Sequence, residues 1–409
     1  VKTSKSSTER IKLGIIADEF FDLELGRRGG FGWAARQVAL LFNREPELNV
    51  EVVFLSRTVR TNNGAPSEVR VHDTRLLTRT EGRLADVRRL RAERFDLLLM
   101  IDYRPSYRFF AAALPRTPII IWVRDPRTPE DVRKLDTLRI PGAAGVRPQG
   151  IEAPDCTSLG RIVGGSRVLG RPVLFATPAP ELVAKVPATY GVAPREVFLL
   201  PNPVDLDPGG AIRKCARPRV LFLGRLDPIK RPWLFTELAE QFPEVEFVFL
   251  GQSHFEGEGA WRPDGLPPNV RTPGHMDGAR KLEMLSSAWL LVNTSIHEAL
   301  AVSFLEALAC ETPIVSCQNV EGVASRFGEY VGRSDGDGLD ALPRFAEALR
   351  RLLRDEAMRT RLGRAGRAWV SETHNTARFL SAFGALCAKV GVDVDLKAMS
   401  DRGALSARG

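Results

Sequence analysis

The sequence predicts two doubly wound α/β domains in tandem, and three observations carry that expectation. Short apolar runs at Leu13–Ala17, Val50–Leu55, Phe95–Ile101, Pro118–Val123 and Val173–Ala176 alternate with stretches of helical period at Gly32–Phe42 and Leu84–Arg94. That is the pattern of a parallel sheet covered by helices. The second half repeats it, with runs at Val220–Leu223, Val245–Leu250, Trp289–Asn293 and Pro313–Val315 separated by helical stretches at Pro232–Gln241 and Ala279–Ser286. Between the halves, residues 201–210 (Pro-Asn-Pro-Val-Asp-Leu-Asp-Pro-Gly-Gly) have the composition of a linker.

These observations place an N-terminal Rossmann-like domain over 1–204 and a second over 205–374, with a cleft across the hinge. Beyond Val331, helical runs follow at Ala341–Arg351, Met358–Val370 and Thr376–Val390. The last is apolar at Phe379, Leu380, Phe383 and Leu386 and has to bury that face. Residues 393–409 read as a frayed tail. The Gly- and Pro-rich stretches Pro141–Gly150 and Glu256–Gly274 read as long, mobile loops, and no landmark stands out between Pro141 and Val173.

Composition narrows the class. The chain has 409 residues, 44% hydrophobic and 26% charged, which describes a globular protein of ordinary make-up. No run approaches the roughly 18 apolar residues of a membrane span, and Val1-Lys2-Thr3-Ser4-Lys5 lacks the apolar core of a leader, so a cytoplasmic location is expected. Cys156, Cys215, Cys310, Cys317 and Cys387 are odd in number and scattered, which suggests reduced thiols rather than disulfides or a zinc site. The net charge of +8 fits an anionic small-molecule substrate, an acidic membrane surface or nucleic acid. No nucleic-acid module is visible, and nucleic acid is not expected as a partner. Arg83, Arg88, Arg89, Arg91 and Arg94 fall on one predicted helix with Leu84, Val87 and Leu90 as its apolar stripe. It is either a solvated face or a peripheral membrane contact.

The most informative stretch is residues 297–309, His-Glu-Ala-Leu-Ala-Val-Ser-Phe-Leu-Glu-Ala-Leu-Ala, where Glu298 and Glu306 stand eight positions apart in an apolar setting. Apolar residues at Ala301, Val302, Leu305, Leu308 and Ala309 keep a helical period. Glu298 therefore lies in the loop before a helix and Glu306 inside it. In an open parallel sheet ligands gather at the carboxyl ends of strands, where helix N-termini point N–H groups at anions. The bland alternative pairs Glu306 with a structural arginine and leaves Glu298 solvated. Earlier, Val220–Leu223 runs into Gly224-Arg225-Leu226-Asp227-Pro228-Ile229-Lys230-Arg231-Pro232, another strand, loop and helix start. Arg225 and Lys230 stand there at a strand end suited to a diphosphate.

Taken together, Gly224-Arg225 with Lys230, then Glu298 with Glu306, resembles the retaining nucleotide-sugar glycosyltransferases of the GT-B fold, family 4. The Gly29-Gly30-Phe31-Gly32 loop, Pro201–Asp205 and Glu306–Val315 agree with it. The resemblance implies an acceptor domain over 1–204, a donor domain over 205–374, a crossover helix at 375–392 returning to the first domain, and closure about the hinge. It implies Glu298, Arg225 and Lys230 as catalytic, with Glu298 facing the sugar and the two cations neutralising the leaving diphosphate in place of a metal. It further implies donor contacts from Gly30, Gly32, Gly224, His275, Met276, Ala299, Leu300, Ala301, Val302 and Glu306, the last on the ribose. No cofactor is implied; a nucleotide-diphosphate sugar is the co-substrate, and the hydroxyl acceptor (glycan, lipid, protein or small molecule) stays open.

Several features qualify the resemblance. Relatives often carry His-Asp after the fourth strand, whereas this chain has Arg124-Asp125. Arg124 either holds an anionic group on the acceptor or pairs with Asp125. Ala299-Leu300-Ala301 replaces Gly-Phe-Gly, adding two Cβ atoms beside the sugar pocket. These departures keep two alternatives open: a catalytically silent protein of this fold that binds a nucleotide or partner, and a sugar-nucleotide epimerase. Gly30-Phe31-Gly32-Trp33-Ala34-Ala35 formally matches a dinucleotide fingerprint, but thirteen residues from Asp18 to Gly30 separate it from the first strand. The glycines serve close approach of a ligand or, more plainly, cap a helix.

Overall fold

The computed structural model describes residues 10–20, 29–57, 68–78, 82–143, 145–151, 155–207, 210–262 and 265–394. The chain divides into two compact units: Val1–Pro126 with Pro154–Pro203 and Thr376–Gly409, and Arg127–Ala153 with Val204–Asn375. Of the tail expected over 393–409, residues 395–409 lie outside the described residues, as do the opening residues 1–9.

The first unit is built on β1 (Ile11–Ile16), β2 (Val50–Leu55), β3 (Glu68–Val71), β4 (Thr74–Leu77), β5 (Leu97–Ile101), β6 (Ile119–Trp122), β7 (Val173–Thr177) and β8 (Val197–Leu199). Their order is β3-β4-β2-β1-β5-β6-β7-β8, parallel except for the antiparallel β3–β4 pair. β5 and β6 are buried along their whole length, as strands covered on both faces must be. The helix Thr376–Lys389 belongs to this unit and sets Phe379 5.6 Å from Trp122 and Phe383 5.6 Å from Phe42. β3, β4 and β8 were not expected from the sequence. The β3–β4 hairpin turns through His72 and Asp73, both at positive φ (48° and 60°), without the Asn-Gly or Asp-Gly that marks such turns.

The second unit contains β9 (Arg219–Leu223), β10 (Glu246–Leu250), β11 (Val270–Gly274), β12 (Leu290–Asn293), β13 (Ile314–Ser316) and β14 (Gly328–Tyr330). The order β11-β10-β9-β12-β13-β14 is parallel throughout. It reverses between β9 and β12, the kind of point at which open parallel sheets take their ligands. β11 falls inside the stretch expected to be a loop. It is an edge strand exposed from Arg271 to Pro273, with no apolar alternation to betray it.

Residues 127–153 precede β7 in sequence yet group with the second unit, which differs from the single span 1–204 expected for the first domain. The helix Pro129–Asp136 starts at a capping box between Thr128 and Asp131. Leu135, Leu138, Ile140 and Ile151 then pack on Ile229, Trp233, Leu234 and Ile296. Periodicity says that such residues bury themselves, not against which partner. Gln149 donates to the carbonyls of Glu256 (3.1 Å) and Glu258 (2.7 Å), tying together the two loops expected to be mobile. A helix with no recognised landmark, Thr157–Val168, leads into β7.

The basic helix, Arg83–Ala92, corrects its expected stripe. Leu84 is 76% exposed, while Asp86 and Leu90 are buried. Arg57 lies 3.6 Å from Asp86, and Arg89 and Arg91 donate to the carbonyls of Thr78 and Ala113. Among the described residues no helix is long and apolar enough to cross a membrane.

Candidate functional site

The reversal between β9 and β12 places two βα corners of the second unit side by side. β9 ends at Leu223 and passes through Gly224 and Arg225 into a 3-10 turn, Pro228–Lys230. Arg231 then takes φ 47° before the helix Pro232–Glu240. Gly251, at the end of β10, lies so close that a Cβ there would come within 1.8 Å of the Gly224 carbonyl oxygen. The corner that presents Arg225 and Lys230 can sit so low only because Gly251 has no side chain.

β12 ends at Asn293, and the loop 294–301 returns Glu298 to this corner. Three groups donate to its Oε1: Lys230 Nζ at 2.5 Å, Ser295 Oγ at 2.6 Å and Asn293 Nδ2 at 2.9 Å. Glu298 is therefore not solvated; its side chain is 9% exposed. Burial pushes its carboxyl up, but the adjacent Lys230 ammonium and the hydrogen bonds from Lys230, Ser295 and Asn293 outweigh burial and hold it below its usual range. The donors are themselves fixed. Ser316 Oγ donates to Asn293 Oδ1 at 3.3 Å, and Gln318 Nε2 donates to the carbonyls of Ser295 (2.8 Å) and Ile296 (3.0 Å).

Arg225 has a different carboxylate partner. Its Nε is 3.1 Å from Asp227 Oδ2, and Asp227 is fully buried with Oδ1 accepting from the His254 N–H at 3.1 Å. Glu306 lies in the helix Val302–Ala309, where its Oε1 accepts from Lys281 Nζ at 2.7 Å, so its structural partner is a lysine and not an arginine. Lys281 is also 3.6 Å from Asp277. Ala301 is the N-cap and offers no side-chain cap; the Phe304 N–H donates back to its carbonyl at 3.1 Å. Ala299, Leu300 and Ala301 are buried, Val302 half-buried. His275 and Met276 are half-buried at the carboxyl end of β11, two strands away from β9.

In the first unit Gly29 is the N-cap of the helix Gly30–Arg44. Gly32 faces the Glu19 backbone, 3.1 Å from where a Cβ would sit, while Gly30 has open space around it. Arg124 follows β6 and is 5% exposed, with its guanidinium 4.4 Å over the Trp122 ring rather than against Asp125. Among the described residues its Nη1 is buried with no hydrogen-bond partner. Burial lowers the Arg124 guanidinium to about 9 against the opposing charge of Asp102. Asp102, at φ 61°, accepts from Tyr190 Oη and Tyr103 N (3.0 Å) on Oδ1, and from Arg124 N (3.3 Å) and Asp125 N (2.9 Å) on Oδ2.

Asn293, Ser295, Asp227, Lys281 and Gly251 were not singled out from the sequence. Asp227 lies inside the motif stretch and Asn293 closes a recognised strand, so position marked both. Lys281 and Gly251 had no local mark, because each matters only through a residue distant in sequence.

Residues 213–369 match the family model described as Glycosyl transferases group 1. The chain is 25% identical over 260 residues to the D-inositol 3-phosphate glycosyltransferase of Xylanimonas cellulosilytica, covering 58% of this chain and 61% of that protein. Among solved structures it resembles sucrose-phosphate synthase from Thermosynechococcus elongatus (TM-score 0.67, 18% identity, 93% of this chain and 99% of that one). It also resembles Anabaena HepE in complex with UDP and glucose (TM-score 0.64, 14% identity, 92% and 99%). The two parallel-sheet units are those of the GT-B architecture.

Proposed function

We propose that this chain is a glycosyltransferase that moves a sugar with retained anomeric configuration from a nucleoside diphosphate sugar to a hydroxyl acceptor, without a metal. The observation that carries the reading is the contact between Lys230 and Glu298, made by two βα corners at the strand-order reversal inside the matched module. Lys230 and Arg225 neutralise the departing diphosphate, helped by the uncapped N-terminus of Val302–Ala309. Glu298 faces the donor sugar and favours positive charge at its anomeric carbon. Glu306, which accepts from Lys281, serves the ribose, and backbone near His275 and Met276 reads the base.

In the step itself the bond from anomeric carbon to phosphate oxygen breaks while the acceptor oxygen bonds to that carbon. The acceptor proton passes to the leaving phosphate, so no further base is needed. Before donor arrives, the Lys230 ammonium rests on Glu298; a diphosphate then shares it, and the two corners are already in register. The relative named for inositol phosphate and the structure solved with UDP and glucose support a UDP-sugar as the first donor to try and a polyol as the first acceptor.

The test is a donor screen with UDP-, GDP- and ADP-sugars, reading nucleotide release with and without acceptors and with a chelator. Wild type is expected to release nucleotide from one donor, chelator or not. Lys230→Ala and Glu298→Gln should each lose about 10²- to 10³-fold in kcat. Equal rates in all three proteins refute the assignment. Tight nucleotide binding with no turnover supports the silent protein, and interconversion of two sugar nucleotides the epimerase.

A further inference from the structure

Arg231 occupies the joint between the two corners. It is fully buried. Its Nε donates to the Thr294 carbonyl at 2.7 Å, and its Nη2 to the Ser295 carbonyl (3.4 Å) and Cys317 Sγ (3.0 Å). Nη1 reaches the carbonyls of Ser334 (3.3 Å) and Asp335 (3.4 Å) and the Ser334 hydroxyl (3.4 Å). Thr294 answers from the other side, its hydroxyl donating to the carbonyls of Lys230 (2.7 Å) and Arg231 (3.0 Å). One guanidinium and one hydroxyl thus fasten the residues that carry Lys230 to the residues just ahead of Glu298, whose neighbour Ser295 donates to its Oε1.

Stability alone does not account for this residue. A non-glycine at φ 47° is strained, and a buried cation costs desolvation. Among the described residues no carboxylate pairs with it; carbonyl oxygens and a sulfur meet its donors instead. A glycine would suit the backbone angle and an apolar side chain the burial. Only a planar fork of donors spans Thr294, Ser295 and the 334–335 segment at once. The space is made for it, since a Cβ on Gly338 would fall 2.4 Å from Nη1.

We propose that Arg231 is a positioning residue for the transfer reaction, locking the Lys230 corner to the Thr294–Ser295 loop so that Lys230 and Glu298 meet on one donor. This rests on the roles given above to Lys230 and Glu298. Arg231→Gly fits the backbone and leaves a cavity lined by carbonyls into which free guanidinium fits. In that variant kcat should fall about 10²-fold with the donor KM within about threefold, and millimolar guanidinium, but not methylammonium, should recover about tenfold. Amide hydrogen exchange over residues 294–298 should quicken and then slow again with guanidinium. Should Arg231→Gly fail to fold, Arg231→Lys keeps the charge but cannot span the carbonyls, and the same kcat loss and faster exchange are expected. Wild-type kcat in a folded variant overturns the proposal, as does guanidinium that restores the thermal midpoint without restoring kcat. If wild type turns over no sugar nucleotide, the functional reading fails separately, and unchanged exchange at 294–298 in the variant overturns the positioning role by itself.

Discussion

The carboxyl ends of the two sheets hold the same kinds of residue and use them differently. In the second unit, Lys230, Ser295 and Asn293 all donate to one buried glutamate oxygen, and Ser316 and Gln318 fix those donors in turn. In the first unit, Asp102 is likewise saturated, but three of its four donors are backbone N–H groups of Tyr103, Arg124 and Asp125. The Arg124 guanidinium receives none of that carboxylate's capacity, and among the described residues its Nη1 is buried and unbonded. One end sets three side-chain donors on a single buried carboxylate oxygen. The other uses its carboxylate to hold the strand ends together, beside a buried arginine stacked on Trp122.

That contrast is exposed to measurement. The largest effect is expected at Asp102, because Asp102→Ala strands the Tyr190 hydroxyl and three N–H groups in a buried site. Chemical denaturation should show a loss of about 4 kcal/mol, and a loss under about 1 kcal/mol would mean that the carboxylate is not the tie between these strands.

A smaller effect separates the two carboxylates by acidity. Glu298 is held below its usual range in the folded chain, so its contribution to stability is complete above the unfolded-chain pKa and is lost as pH falls through the lower folded value. Burial, partly opposed by the Tyr190 hydrogen bond, moves Asp102 the other way. The gap in thermal midpoint between wild type and Glu298→Gln should narrow as the solution is acidified below the carboxylate range. A gap that stays constant contradicts the ion-pair account of Glu298.

The smallest effect is expected at Arg124. Replacing a buried, incompletely bonded cation by an apolar side chain of similar length, Arg124→Met, should change stability by about 1 kcal/mol or less, in either direction. A loss of several kcal/mol would reveal that the Trp122 stack and the charge of Asp102 support the first unit after all.

The placement of the second unit's candidate residues was legible because each follows directly on an apolar strand. Arg225 and Lys230 follow one apolar strand and Glu298 follows another, so period and position alone set all three at strand ends. The helix carrying Glu306 announced itself by its apolar spacing. The direct partner of Glu298 was not legible: the sequence places it near Lys230 or leaves it solvated, and only the structure shows Lys230, 68 residues earlier, 2.5 Å away. Arg225 shows the limit from the other side, since its partner Asp227 lay two positions along in the same motif and was passed over.

What the sequence determined by itself is the alternation of strands and helices, the two sheets, and which titratable residues stand at strand ends. Backbone periodicity and the burial of apolar side chains are nearest-neighbour effects, and a linear chain displays them. Tertiary structure alone decided that residues 127–153 join the second unit, that Gly251 makes room for the Gly224 turn, and that Arg231 binds two corners into one site. Each of these is a contact between segments far apart in the chain, set by which surfaces fit at close range, and no local pattern encodes that fit.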